Sequence, residues 1–93
     1  MTIAIEIFTK NLELNDRLND YVVKKVEKFE KFLEEVDDCR VDLSHIKTAR
    51  NASDRHVAQL TLRGKGFILR SEERSDSMFS AVDAAVLWLV LAD

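Results

Sequence analysis

The spacing of apolar residues changes period along this chain, and the places where it changes limit the folds open to it. Ile3, Ile5 and Ile7 alternate with Ala4, Glu6 and Phe8. That period of two predicts a strand over residues 2–8 with one buried face. Residues 9–14 turn the chain, and Asn15 has the chemistry of a helix N-cap, with Asp16 favourable in the first turn. The spacing then becomes helical. Leu18, Val22, Val26, Phe29 and Leu33 form one apolar stripe and predict a helix running to about Glu35.

Alternation returns three times. In CRVDLS, residues 39–44, Cys39, Val41 and Leu43 face one way. HVAQLTLR, residues 56–63, turns Ala58, Leu60 and Leu62 inward, and GFILRSEER, residues 66–74, does the same with Phe67 and Leu69. A polar loop from Lys47 to Arg55 separates the first two, and Gly64-Lys65-Gly66 signals a hairpin between the last two. Ser75 or Asp76 then caps a second helix that runs to the end. The order β-α-β-β-β-α predicts an α+β two-layer sandwich, a four-stranded sheet with both helices on one face. The other face of the sheet would carry Glu6, Arg40, Asp42, Ser44, Gln59, Thr61, Arg63, Arg70 and Glu72.

Composition narrows the function classes. Ninety-three residues, 46% of them hydrophobic, suit one folded domain. Cys39 is the only cysteine, so an intrachain disulfide and a four-thiolate zinc site are excluded. Cys39, His45 and His56 lack metal-ligand spacing, and no nucleophile, base and orienting group stand in a recognisable pattern. Neither a metal, a cofactor, a small-molecule substrate nor catalysis is implied. The N-terminus has no signal-peptide pattern. The longest uncharged run, Ala84 to Ala92, is less than half of the roughly 20 residues a membrane span needs. A cytoplasmic protein without a membrane partner is expected.

The net charge of −3 does not point to nucleic acid, so a binding surface would have to come from local segregation of charge. The first helix has such segregation. At about 100° per residue, Arg17, Lys24, Lys28 and Lys31 fall in one stripe, with Lys25 between it and the apolar face. The acidic residues fall mostly on the other side. Cations so arranged can track a phosphate backbone, reading shape and charge rather than bases. The same lysines also stand in favourable i,i+4 order with acids, Asp20–Lys24 and Glu27–Lys31, as on an ordinary solvated helix face.

IEIFTKNLELNDRLNDYVVKKVEKFEKFL resembles the opening strand and first helix of the ribosome hibernation promoting factors, also called ribosome-associated translation inhibitors. HVAQLTLRGKGFILRSEERSDSMFSAVDAAV is similar to that family's hairpin and to the D-x-M-[YF]-x-A-[IV]-D signature opening its last helix, here Asp76, Met78, Phe79, Ala81, Val82 and Asp83. Some members were first labelled modulators of an alternative sigma factor. The resemblance implies the same β-α-β-β-β-α fold, similar to double-stranded RNA-binding domains. It implies a single ribosome-binding domain over residues 1–93, and longer members carry a further C-terminal domain that pairs ribosomes. The implied partner is the small ribosomal subunit and its rRNA, in the channel for mRNA and tRNA. There the family silences idle ribosomes by occlusion, under stress or in stationary phase. Lys25, Lys28 and Lys31 align with the family's basic positions, and Arg17 and Lys24 lie beside them.

The second helix departs from the family pattern. Where members carry a charged segment such as D-K-L-E-R-Q-L, this chain has Leu87-Trp88-Leu89-Val90-Leu91-Ala92. A second reading follows: a protein-interaction module that dimerises or docks a partner through Leu87, Trp88, Val90 and Leu91. Trp is enriched at such contacts, and contiguous apolar patches mark them.

Overall fold

The computed structural model describes residues 4–28, 36–48, 50–51 and 55–92. Its elements are β1 (Ala4–Lys10), α1 (Asp16–Glu27), β2 (Val36–His45), β3 (His56–Gly64), β4 (Phe67–Ser75) and α2 (Met78–Ala92). The sheet order is β1-β2-β3-β4. β1 pairs parallel with β2, and the other two pairings are antiparallel. The predicted α+β sandwich is the one observed.

Local chemistry explains the element boundaries. Asn15 caps α1 as expected: its side-chain oxygen accepts from the Leu18 N–H at 2.7 Å. The expected continuation of that helix through Phe29, Lys31 and Leu33 to Glu35 lies outside the described residues. β2 begins at Val36, three residues before the alternation in the sequence becomes clear, with a register shift between Val36 and Asp38. Asn11 takes a positive φ of 61° in the turn after β1, a conformation asparagine tolerates better than most residues. In the β3–β4 hairpin Gly66 has a φ of 84°, the left-handed conformation that the second loop residue of a type II turn requires. α2 starts later than predicted. Its first backbone bond runs from the Ala81 N–H to the Ser77 carbonyl, so Ser77 holds the N-cap position rather than Ser75 or Asp76. Those two bond each other instead, hydroxyl to carboxylate, at 3.2 Å.

Both helices pack on one face of the sheet. The core joins Leu18, Val22 and Val26 of α1 to Cys39, Val41 and Leu43 of β2 and to Ala58, Leu60 and Leu62 of β3. α2 adds Met78, Ala81, Val82, Ala85, Val86 and Leu89, a stripe with helical spacing. Ser71 is the buried polar residue on the inner side of β4, and its hydroxyl donates to the Ala85 carbonyl at 2.8 Å. That bond satisfies a group that would otherwise be costly to bury, and it ties α2 to β4. Cys39 is a core residue, as its sequence context suggests. Burial, with Asp38 beside it, pushes its thiol up to about 12, so it stays protonated and unreactive at neutral pH.

Candidate RNA-binding surface

The basic stripe of α1 sits at the seam between the two helices. Arg17, Lys24 and Lys28 are exposed, and Lys25 is half-buried. This follows from the helical period. Residues 17, 21, 24 and 28 stack on one side of α1, and residue 25 is rotated toward α2. Lys31 of the predicted set lies outside the described residues.

Sequence reasoning missed Tyr21, which stands in the middle of that stripe. Its ring meets Phe79 of α2 edge-on, with centroids 5.0 Å apart and planes at 86°. The Arg17 guanidinium lies 5.4 Å from the Phe79 ring centroid, and the Lys25 ammonium lies 5.4 Å from that of Tyr21. Both cations thus rest on aromatic faces, where the ring quadrupole attracts them. The i,i+4 spacing of Arg17, Tyr21 and Lys25 was visible in the sequence. Their pairing with Phe79 and Asp83 was not, because it depends on how α2 lies against α1.

Lys25 differs from its neighbours. Its ammonium is 2.6 Å from the Asp83 carboxylate, across the helix seam. The bond to Asp83 raises the Lys25 pKa, and the bond to Lys25 lowers that of Asp83. Tyr21 is shifted up, first by burial and then by Asp83. Lys25 therefore offers a phosphate only the part of its charge that Asp83 does not offset. Lys24 and Lys28 have no carboxylate within ion-pair distance among the described residues, and the expected Asp20–Lys24 pair is not formed. Among the described residues the basic surface without an ion-pair partner is Arg17, Lys24 and Lys28, with Lys25 braced behind it.

The apolar end of α2 lies on the same layer. Leu87 is 58% exposed, Trp88 55% and Leu91 67%. The side chain of Val90, the fourth residue of the predicted contact, lies outside the description. Leu87 and Lys28 line the same shallow groove, together with Asp83 and Ala84.

Among the described residues no three His, Cys, Asp or Glu side chains cluster, and no helix is long and apolar enough to cross a membrane. The His45 and His56 rings face each other across β2 and β3, with centroids 4.8 Å apart, and among the described residues no third His, Cys, Asp or Glu joins them.

The family described as "Sigma 54 modulation protein / S30EA ribosomal protein" matches residues 5–89. The chain belongs to this family. Among its relatives is the ribosome hibernation promotion factor of Deinococcus radiodurans, 29% identical over 76 residues, which cover 82% of this chain and 39% of that protein. The factor of the same name from Mycobacterium tuberculosis is 30% identical over 80 residues, covering 86% of this chain and 36% of the relative. The chain thus spans about two fifths of the length of these relatives. Among solved structures, the N-terminal domain of Thermus thermophilus Protein Y superposes with a TM-score of 0.79 at 26% identity, covering 99% of this chain and 94% of that one. A ribosomal subunit interface protein from Coxiella burnetii gives 0.81 at 14% identity, with coverage of 97% and 92%, a likeness of fold alone. In this S30EA-family chain the helix seam is built by Arg17, Tyr21, Lys25, Phe79 and Asp83. Asp83 closes the signature segment 76–83, and here that carboxylate holds a lysine of α1.

Proposed function

We propose that this S30EA-family chain is a ribosome-binding domain over residues 1–93. It binds the small ribosomal subunit through rRNA, in the channel for mRNA and tRNA, and silences idle ribosomes in the cytoplasm under stress or in stationary phase. The action is occlusion and involves no catalysis. The observation that carries this reading is the row of exposed cations Arg17, Lys24 and Lys28 along α1, with no carboxylate within ion-pair distance among the described residues, in a family with ribosome-associated relatives. Phosphate contacts of this kind release counterions, so binding is tight at low salt and weakens steeply as salt rises.

Sucrose-gradient sedimentation with purified ribosomes tests the proposal. The chain is expected in the small-subunit and whole-ribosome fractions at low salt and free at high salt. Lys24→Glu with Lys28→Glu removes it from those fractions while the fold persists. Lys25 is left out of the pair because a glutamate there would face Asp83 and disturb the helix seam. A chain that never co-sediments at low salt ends the proposal.

A second reading rests on the exposure of Leu87, Trp88 and Leu91. In it, α2 pairs with α2 of a second copy and RNA plays no part. Size measurement by light scattering separates the two. A dimer that Trp88→Lys dissolves supports this reading, and a monomer at every concentration removes it.

A further inference from the structure

The sheet face that the helices leave uncovered is not a uniform polar surface. Side chains from all four strands surround a depression of about 610 Å³ on it. Lys10, Arg40, Arg63 and Arg70 line it, against Asp42 as the one lining carboxylate. The chain as a whole is net negative. Two of the four cations are ion-paired, Arg40 with Asp42 at 3.1 Å and Arg63 with Asp38 at 3.4 Å, so the positive potential in this concave site comes mainly from Lys10 and Arg70. Glu6, Asp38 and Glu72 share the face without lining the depression, and Asp38 reaches it only through its pair with Arg63.

The register builds the centre. Arg40, Thr61 and Arg70 are direct partners on β2, β3 and β4. Adjacent strands are about 4.8 Å apart, so the two arginines start about 10 Å apart, with Thr61 on the floor between them. Arg40 is already oriented. Its Nε and Nη2 donate to the Asp42 carboxylate at 3.1–3.3 Å, and its guanidinium lies 4.5 Å from the Phe8 ring centroid. A guanidinium has five N–H donors, so most of Arg40's remain available for an incoming anion. Among the described residues Arg70 and Lys10 have no carboxylate within ion-pair distance. Two apolar groups complete the surface: Phe8 on β1, 44% exposed, and Ile68 on β4, 62% exposed.

Cations that grip phosphate beside an exposed aromatic ring on a four-stranded sheet are what a single RNA strand requires. The backbone is held by charge and a base stacks on the ring. We propose that this outer sheet face binds a short single-stranded RNA segment, with phosphate at Arg40 and Arg70 over Thr61 and a base on Phe8. This site lies on the opposite side of the sheet from the α1 stripe. It does not depend on the ribosome reading.

The test uses the whole chain and 5′-labelled hexauridylate, followed by fluorescence anisotropy at low salt and by amide chemical-shift mapping. The strand is expected to bind, with shifts confined to the outward residues of β1–β4. Phe8→Ala weakens binding about tenfold, the scale of one lost base–aromatic stack. Arg70→Glu lowers the slope of log affinity against log salt by about 0.7, one phosphate contact on a single strand. Hexauridylate is read by shifts on β1–β4 and by Phe8→Ala and Arg70→Glu, and ribosome binding by co-sedimentation, so failure here and failure of ribosome binding are distinguishable. Shifts that map to α1 instead overturn the proposal, and this readout needs no variant. Full binding by both sheet variants overturns it too. Uridine monophosphate binding as tightly as the hexamer would assign the site to a free nucleotide and overturn the strand.

Discussion

The apolar residues buried along α1 are Leu18, Val22 and Val26, one narrow stripe, and the rest of its surface is mostly charged or polar. Along α2 six apolar positions are buried among the described residues, yet Leu87, Trp88 and Leu91 remain outside. Both helices lie on the same sheet, and the sheet can cover only one side of each. On α1 the uncovered side is free to carry charge, and its cations are displayed on aromatic and ionic supports supplied by α2. On α2 the uncovered side is apolar past Asp83. The helix that braces the basic surface therefore contributes little charge of its own. Within one layer, α2 supplies the supporting contacts of Phe79 and Asp83, and α1 supplies the charge.

The largest effect that sharpens this contrast lies within α2. Leu89 is 2% exposed and Trp88 55%. Leu89→Ala is expected to destabilise the chain by about 2–5 kcal/mol, lost transfer energy plus a cavity. Trp88→Ala should change stability by no more than about 0.5 kcal/mol, as for other surface positions. Urea unfolding at pH 7 measures both. A loss at Trp88 comparable with that at Leu89, and growing with protein concentration, would mean that the outer side of α2 is covered in solution.

Much of this contrast was legible before the fold was known. Alternation located the strands and their inward residues, because a strand with one buried face leaves a period of two. Asn15 was readable as a cap because its side chain acts locally. What escaped was everything that requires register between elements. Asp83 and Lys25 are far apart in sequence, and only the packing of α2 against α1 brings them together. The depression on the outer sheet face was equally hidden. Arg40, Thr61 and Arg70 become neighbours only when three strands align, and Ile68 was passed over because its neighbours Phe67 and Leu69 were the inward pair. The start of α2 was misplaced because Ser75, Asp76 and Ser77 all have capping chemistry, and only the Ala81–Ser77 bond selects among them.

An intermediate effect breaks the contrast deliberately. Trp88→Lys with Leu91→Lys puts cations where the resemblance expects them. If the RNA surface extends from α1 onto α2, the double variant should stay on ribosomes to higher salt than the parent chain. Each new phosphate contact should steepen the salt dependence by about 0.7–0.9 in log–log slope. Sedimentation across a salt series is the measurement. Unchanged or weaker binding would confine the RNA contact to α1.

The smallest effect concerns the bond that joins the two helices. Asp83 is depressed by Lys25, so its contribution to stability is present above the unfolded carboxylate value, near 3.9, and is lost as pH falls through the folded value. Lys25 is raised by Asp83, so its contribution is present below about 10.4 and is lost as pH rises through the folded value. The pair is therefore intact from about pH 5 to pH 10. Asp83 is 52% exposed and Lys25 25%, so solvent screens the interaction, and Asp83→Asn should cost at most about 1 kcal/mol at neutral pH. Urea unfolding of both proteins at pH 7 and in a series below pH 4 checks the sign. The gap between them should close as the wild-type carboxylate takes up its proton. A gap that stays open in acid would mean that Asp83 supports the seam through packing against Tyr21, with charge playing no part.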